Sequence, residues 1–337
     1  MKKFNLFVVF FLLAGVIMAA KTVSLPGIYN PKYVFVQKDY VYIVEGTTVN
    51  IFSGKDFKLI KKFGKQGEGP QEFKGVINGI YFPGENMVVS SIGRASFFTP
   101  DGNFIKEKNI VAGMGWDFIP IGDGFIGRGM KQDKETRFRT FNLFDSNLKK
   151  VKEFYKIKHP FQERKGMRVF ELSGISFVHD NKIFLSYGKG FLIEIFNDKG
   201  EKLPSIKRDD YPLIELTEKY KEAVYYFYKT NPRTKDRFDL IKERLVFPKY
   251  LNAIRDFYAA DKKVYIRTYK IVDNKTEFFI YHTNGKFIKK VLLPTLERGG
   301  FEYATYRYTV GGGKFYQLFE NADTEEWELH ISEIPPE

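Results

Sequence analysis

The chain has 337 residues, a formal net charge of +13, 35 phenylalanines and 21 tyrosines. It contains no cysteine, which excludes disulfide bonds, a lipid-modified cysteine anchor and a thiol nucleophile. The aromatic residues favour β-strands, and a chain of this length can form one large all-β domain.

Residues 1–20 have the pattern of a bacterial export signal. Two lysines precede an apolar stretch over residues 4–18, which is shorter than the roughly 20 residues that a membrane-spanning helix needs. We predict a signal peptide over 1–20 and a mature domain over 21–337, periplasmic or extracellular, with no stable membrane insertion after cleavage. A retained anchor is the alternative, because Ile17 or Met18 would stand three residues before the cleavage point.

From residue 33 onward, a unit of four short strands recurs. In each unit an aromatic strand, a strand rich in Tyr, Val and Ile, a strand ending in Phe and a lysine-rich strand are separated by Gly, Asn or Asp turns. The predicted units lie at residues 33–63, 77–109, 116–155, 175–206, 254–292 and 303–331. One unit cannot bury both of its faces alone, so the repetition predicts a closed ring.

The two ends of the chain are predicted to complete each other. The sixth unit lacks a fourth strand, whereas residues 21–25 form a strand-like segment that belongs to no unit. We predict that 21–25 pairs with 327–331, because this pairing removes an open sheet edge and fixes both ends of the chain. The first strands of the third, fifth and sixth units are predicted at 116–119, 254–259 and 303–308.

One segment, residues 212–250, breaks the strand pattern. Apolar residues recur at helical spacing from 215 to 228 and again from 235 to 245, with Asn231-Pro232 between the two runs. We predict a helical hairpin inserted between the fourth and fifth units. Such a connection would lie on the face where propellers usually bind ligands.

The most specific motif is the glycine-rich segment 64–73 with the strands that follow it. The matching positions are Gly64, Gly67, Gly69, Pro70, Glu72, Phe73, Arg94, Phe98, Asp101 and Gly102. This segment resembles one blade of an NHL-type β-propeller, and the chain resembles exported bacterial six-bladed propellers of the NHL/TolB-like type. It departs from the common repeat at Ser91 and Gly93, where Asp and Asn are usual.

The predicted fold is therefore all-β: one six-bladed β-propeller, closed by the N-terminal strand, with a helical insertion between blades 4 and 5. The motif residues are expected to have structural roles, with Phe73 packed between blades. Because propellers serve as enzymes, receptors and scaffolds, the fold alone does not determine the function.

Basic and aromatic residues gather in the predicted connections between blades. The planar guanidinium group of arginine can donate two parallel hydrogen bonds to a carboxylate, sulfate or phosphate, and the face of a tyrosine ring can pack against a sugar ring. The predicted ligand-binding residues are Arg168, Arg237, Arg255, Arg307, Tyr303 and Tyr306. They predict an exported binding module for an acidic glycan or an acidic protein surface, and export argues against nucleic acid as a partner.

Three alternatives remain open at this point, and one of them is that the protein is a purely structural part of a cell-surface complex. The same cations could solvate an exported β-protein and prevent pairing at sheet edges. The protein could also be a propeller lyase or hydrolase with a divalent metal in its channel, for which Asp117, Glu171 and Asp256 are candidate carboxylates. None of the four histidines, His159, His179, His282 and His330, has metal-ligand spacing to another, and no cofactor is otherwise implied.

Overall fold

The computed structural model has the architecture of a six-bladed β-propeller. The residues that it describes are 21–110, 118–134, 136–158, 166–169, 175–188, 190–296 and 307–337. They form six four-stranded antiparallel sheets, the blades; five of these are built in chain order from the inner to the outer strand, and the sixth takes its outer strand from the first described residues. The predicted fold class is confirmed.

The burial of each strand follows from its place in a blade. The second and third strands are apolar along most of their length, because each blade packs between two neighbours and both of its faces are covered. The outer strands alternate less strictly and carry lysines, because one of their edges faces water.

The first three blades are continuous in sequence. Blade 1 contains β2 (Tyr33–Gln37), β3 (Tyr40–Glu45), β4 (Thr48–Ser53) and β5 (Leu59–Phe63). Blade 2 contains β6 (Ile77–Tyr81), β7 (Met87–Ser91), β8 (Arg94–Phe98) and β9 (Phe104–Asn109). Blade 3 contains β10 (Phe118–Ile121), β11 (Gly124–Asp133), β12 (Thr136–Phe144) and β13 (Lys150–Lys158).

The last three blades include the ring closure. Blade 4 contains β15 (Ile175–His179), β16 (Lys182–Ser186), β17 (Phe191–Asn197) and β18 (Lys202–Arg208). Blade 5 contains β20 (Asp256–Ala260), β21 (Lys263–Val272), β22 (Lys275–His282) and β23 (Phe287–Pro294). Blade 6 contains β24 (Tyr308–Gly311), β25 (Lys314–Glu320), β26 (Trp327–Glu333) and β1 (Lys21–Ser24).

The N-terminal strand closes the ring as predicted. β1 is antiparallel to β26, with Lys21 opposite Ile331 and Ser24 opposite Glu328. Leu25, buried just after β1, donates its backbone N–H to the Trp327 carbonyl at 2.9 Å. The outer edge of blade 6 is thus occupied by the other end of the chain.

Two predicted inner strands are shifted in the structure. β10 runs past Ile119 through Pro120, which is tolerated because an inner strand has a sheet partner on one edge alone and needs no N–H towards the channel. β24 extends to Gly311, and the turn that follows it is made by Gly312 and Gly313 at positive φ. The strand therefore continues to Gly311, further than the sequence pattern predicted. A third inner strand, that of blade 5, begins at residue 256 rather than 254.

The predicted insertion is present between β18 and β20. It contains α1 (Glu218–Thr230), a 3-10 turn (Lys235–Arg237), α2 (Phe238–Arg244) and β19 (Leu245–Val246). β19 pairs in parallel with β14 (Met167–Arg168), which precedes blade 4. No helix among the described residues is long and apolar enough to cross a membrane.

The core lies between the blades. Phe73, fully buried, belongs to an apolar cluster with residues of blades 1 and 2, including Phe63 and Phe98, so its predicted packing is confirmed. Similar clusters join blades 3 and 4, blades 4 and 5, and blades 5 and 6. The ring is therefore held by side chains from neighbouring blades.

Candidate functional site

The topology separates the connections of the ring into two faces. Because the strands of each blade alternate in direction, the connections between blades and the turns between second and third strands share one face. That face carries residues 64–76 and 209–255 and the far end of the β11–β12 hairpin, and we call it the insertion face. The turns between first and second strands and those between third and fourth strands lie on the opposite face, which we call the turn face.

The insertion is fixed by a small core of its own. Val169 is buried together with Ala223, Val224 and Tyr228 of α1. The β14–β19 pairing adds backbone hydrogen bonds between the segment before blade 4 and the end of the insertion. The insertion is thus packed against the connection between blades 3 and 4.

The insertion is also attached to blade 5. The Tyr220 hydroxyl donates to the Tyr269 carbonyl at 3.1 Å, and their rings meet edge to face at 6.1 Å. The Tyr211 hydroxyl donates to Glu277 Oε1 at 3.2 Å. Two tyrosine hydroxyls therefore attach to the β21–β22 hairpin: that of Tyr220 on the insertion, and that of Tyr211 in the segment that leads into the insertion.

The insertion extends far enough to approach blade 1. Lys32 precedes β2 and is held there by its backbone N–H, which donates to the Val44 carbonyl at 2.8 Å. Partial desolvation and the nearby Arg233 guanidinium lower the pKa of Lys32. Arg233 lies between α1 and the 3-10 turn, so this part of the insertion is near enough to Lys32 for the two cations to interact electrostatically.

The predicted arginines differ in their surroundings. Arg168 and Arg237 are exposed, the first on β14 opposite Val246 and the second in the 3-10 turn. The Arg255 guanidinium lies 5.4 Å from the ring centroid of Tyr269.

Arg307 is partly buried, and its guanidinium lies 4.8 Å from the ring centroid of Trp327. Tyr303 and Tyr306 lie outside the described residues. Arg168 and Arg237 are therefore both on or beside the insertion, whereas Arg255 and Arg307 are packed on aromatic rings of blades 5 and 6.

The sequence analysis missed two pairs of neighbouring cations, Arg233 with Lys32 on this face and Arg128 with Arg139 on blade 3. Arg233 and Lys32 are distant in sequence, and no local pattern predicts that they approach each other. Arg128 and Arg139 lie on the long β11–β12 hairpin, whose basic sequence was a signal that could have been used.

Asp256 does not line the channel, contrary to the expectation for a catalytic carboxylate. It is 1% exposed and accepts hydrogen bonds from Arg267 Nε at 3.0 Å to each carboxylate oxygen. Arg267 Nη2 and the Tyr308 hydroxyl also donate to it. A carboxylate buried to this degree needs such partners. Asp117 and Glu171 lie outside the described residues.

The glycine-rich segment 64–73 uses its polar groups internally. Arg94 is buried, and its Nη1 donates to the carbonyls of Gly69 at 2.9 Å and Glu72 at 3.0 Å. Its Nη2 donates to the Glu68 carbonyl at 2.9 Å. Arg94 thus holds the backbone of the loop, which is a structural role.

Gly64 shows why this loop needs glycine. Its φ is +85°, and a Cβ at this position would lie 2.4 Å from the Thr47 carbonyl oxygen. A side chain would therefore collide with blade 1 and adopt a strained backbone conformation.

The central channel forms a cavity of about 1010 Å³ that all six inner strands line. Its aromatic wall includes Tyr33, Phe35, Tyr81, Phe177 and Tyr258, and Arg128 also borders it. The described residues include no group of three or more His, Cys, Asp or Glu arranged to hold a metal ion.

The histidines have separate partners. His179 lines the channel at the turn face, where its Nε2 accepts the Lys262 backbone N–H at 3.2 Å. His330 Nε2 lies 2.7 Å from Glu328 Oε2. His159 lies outside the described residues.

Comparison with known proteins supports the fold. No family model and no curated protein matches this sequence. A protein of Bacteroides fragilis named "putative exported protein" has a similar structure, with 10% identity, a TM-score of 0.56, and coverage of 96% of this chain and 97% of its own. A DUF4221 family member from Bacteroides vulgatus has 13% identity, a TM-score of 0.51, and coverage of 94% and 96%. At these identities the likeness concerns the propeller fold.

Proposed function

We propose that this protein is an exported binding or interaction module whose ligand is polar and anionic, an acidic glycan or an acidic patch of another protein. The insertion face is the proposed binding surface. The proposed contacts are the residues chosen from the sequence, Arg168, Arg237, Arg255, Arg307, Tyr303 and Tyr306, together with Lys32 and Arg233.

The observation that carries this proposal is the concentration of cations on the insertion face, where Arg168 and Arg237 are exposed and where Arg233 and Lys32 interact electrostatically. Two cations from distant parts of the chain lie close enough for one to lower the pKa of the other. No described carboxylate forms an ion pair with either side chain. A bound anion would relieve this repulsion, and arginine in particular suits carboxylate and sulfate groups.

Export is supported by the sequence and by the name of one structural neighbour. The predicted signal peptide over 1–20 ends directly before β1, so cleavage there would leave the ring-closing strand intact. The neighbour from Bacteroides fragilis carries the name "putative exported protein". We propose the periplasm or the cell exterior as the location, and the NHL/TolB-like type as the group of propellers to which this chain is related.

The first test is binding to defined polymers at physiological salt. We expect affinity electrophoresis to show retardation by polygalacturonate or dextran sulfate, but not by neutral dextran. The double variant K32M/R233M should bind at least about 100-fold more weakly, because it removes two charge-assisted hydrogen bonds of about 1.5–3 kcal/mol each and about 1.4 kcal/mol corresponds to a tenfold change.

A matched control distinguishes a specific binding site from attraction by the overall positive charge of the protein. K199M/K286M removes two lysines from the turn face, where their side chains have no hydrogen bond or ion pair to a described residue. The proposal requires this control to bind like the wild type. Equal loss in the two double variants, or no retardation by either polyanion, would overturn it.

A further inference from the structure

A second group of cations lies on blade 3, away from the insertion. The β11–β12 hairpin extends beyond the blade, with strands of 10 and 9 residues, compared with 5 each in β7 and β8. Arg128 pairs with Phe141, and two positions further along the same face Met130 pairs with Arg139. Arg128 and Arg139 are therefore diagonal neighbours, which lie about 7–8 Å apart between Cα atoms in an antiparallel sheet.

The face that carries both arginines has an aromatic base. Phe141 is opposite Tyr155 on β13, and both rings stack on Tyr187 of blade 4, at 6.2 Å and 5.6 Å between centroids. Because Tyr187 belongs to the next blade, this face points into the boundary between blades 3 and 4. The base is thus fixed by packing between two blades.

The charge of Arg139 has no acidic partner in the described part of the chain. Its side chain is partly buried, and no described carboxylate forms an ion pair with it. Burial and the neighbouring Arg128 guanidinium lower the pKa of Arg139. Glu194, an acid whose charge acts on Tyr187, is already bound by Lys202 at 2.9 Å and by the Ser205 hydroxyl at 2.5 Å.

The pair adjoins the central channel through Arg128. Arg128 borders the cavity of about 1010 Å³, whose wall includes Tyr81, Phe177 and Tyr258. A ligand whose acidic group lies between the two arginines could extend its remaining atoms along this wall. Aromatic faces and a pair of guanidinium groups together fit an acidic sugar.

We propose that Arg128 and Arg139 form an oxyanion subsite at the boundary of blades 3 and 4, which takes the carboxylate or sulfate group of an acidic sugar seated in the channel. This inference deepens the proposed function and rests on it for the negative charge of the ligand. It adds a defined pair of residues and a ligand group that the insertion face does not supply.

The test is thermal stabilisation by small anions at constant ionic strength. Sodium galacturonate and sodium sulfate are titrated into the full-length protein against sodium chloride, with glucose as the neutral probe. We expect the wild-type Tm to rise by about 2 °C or more with at least one of the two anions, and not with glucose. The anion that acts distinguishes a carboxylate site from a sulfate site.

The variants separate binding from folding. R128M/R139M and the single variant R139M should lose this rise, whereas K131M/K134M, which removes two other cations of the same hairpin, should keep it. Without added anion, R139M should melt at the wild-type temperature or above, because it removes one of two repelling charges. A purely structural arginine would instead lower the Tm.

Three outcomes would overturn the proposal: no rise in the wild type, an unchanged rise in R128M/R139M, or a lowered Tm of R139M without anion. K32M/R233M is included to keep the two proposals apart. If it loses binding to the polymers but retains the rise with small anions, the insertion face and the subsite act independently. If the wild type binds no polymer but shows the arginine-dependent rise, the subsite stands and the insertion-face proposal fails.

Discussion

At the scale of single residues, Asp256 and Arg267 show that burial decides what a charged side chain does. Asp256 is 1% exposed and Arg267 4% exposed, and the Tyr308 hydroxyl donates a fourth hydrogen bond to the same carboxylate, beside three from Arg267. The Arg267 guanidinium also lies 4.7 Å from the Tyr308 ring centroid. These groups join blade 5 to blade 6 and satisfy one another away from water.

Removing one member of this pair should destabilise the protein strongly. Asp256→Asn keeps the shape but leaves the buried guanidinium without its carboxylate, so we expect a loss of about 3–5 kcal/mol. Urea unfolding followed by tryptophan fluorescence measures the change. The double variant D256L/R267M removes both charges and should be less destabilised than D256N, and the opposite order would contradict this account.

At the scale of structural elements, the turn face is joined by short-range polar contacts between neighbouring blades. Asp180 Oδ2 lies 3.2 Å from Lys182 Nζ and accepts the Thr283 hydroxyl of blade 5 at 3.2 Å. His179 accepts the backbone N–H of Lys262 at 3.2 Å. The turns of blades 4 and 5 are therefore linked at two adjacent positions.

The His179 contact predicts a loss of stability in mild acid. Burial lowers the pKa of His179 below its ordinary value of 6.5; Asp180 and Asp261 oppose this effect and Lys182 adds to it. The unfolded chain therefore binds a proton on this ring at a higher pH than the folded chain does. The resulting contribution to stability is complete above pH 6.5 and declines as the pH falls from 6.5 towards the folded pKa.

This dependence can be measured with His179→Gln, whose amide oxygen can still accept the Lys262 N–H. We expect the wild-type Tm to fall between pH 7.5 and 5.0, and the fall to be smaller in H179Q. The comparison stays above the range in which most carboxylates titrate. An equal fall in both proteins would show that His179 is not responsible.

At the scale of the whole molecule, the closure of blade 6 by β1 joins the first and last described strands. Leu25 and Trp327 form a hydrogen-bonded pair, because the Leu25 N–H donates to the Trp327 carbonyl. Hydrogen-bonded and non-hydrogen-bonded pairs alternate along an antiparallel ladder, so Thr22 and His330, three pairs further along, form a non-hydrogen-bonded pair. At such a pair the two side chains lie close together. The ring therefore depends on a contact between residues more than 300 positions apart in sequence.

A disulfide at this position should stabilise the ring. Because the chain has no cysteine, T22C/H330C introduces a single defined pair. Oxidation closes a very long loop, and we expect it to stabilise the protein by about 2–5 kcal/mol relative to the reduced form of the same variant. Calorimetry with and without reductant measures the difference, and T22C alone controls for effects of the reductant. Identical Tm values for the two forms would argue that β1 does not limit unfolding.

Much of the architecture was determined by the sequence itself. The apolar alternation, the turn residues and the recurrence of a four-strand unit predicted the ring, because a blade needs neighbours on both faces to be buried. The unpaired strand at 21–25 predicted the closure, and helical spacing in 212–250 predicted the insertion. The inner strands of blades 3 and 6 were predicted to end too early, because Pro120 and Gly311 are tolerated on a strand edge that faces the channel.

The candidate site depended on tertiary structure. Local patterns identified basic residues but not their partners, because ion pairs and cation pairs form between blades whose order in space is set by ring closure. Asp256 was drawn into a buried pair with Arg267 instead of facing the channel. Arg233 interacts electrostatically with Lys32 although the two are remote in sequence, and Arg139 lies beside Arg128 because strand register places them on one face. The sequence by itself thus determined the ring, its closure and its insertion, through periodicity and the need to bury both faces of each blade. Only the folded ring decided which charged side chains approach one another, because that depends on distances between residues remote in sequence.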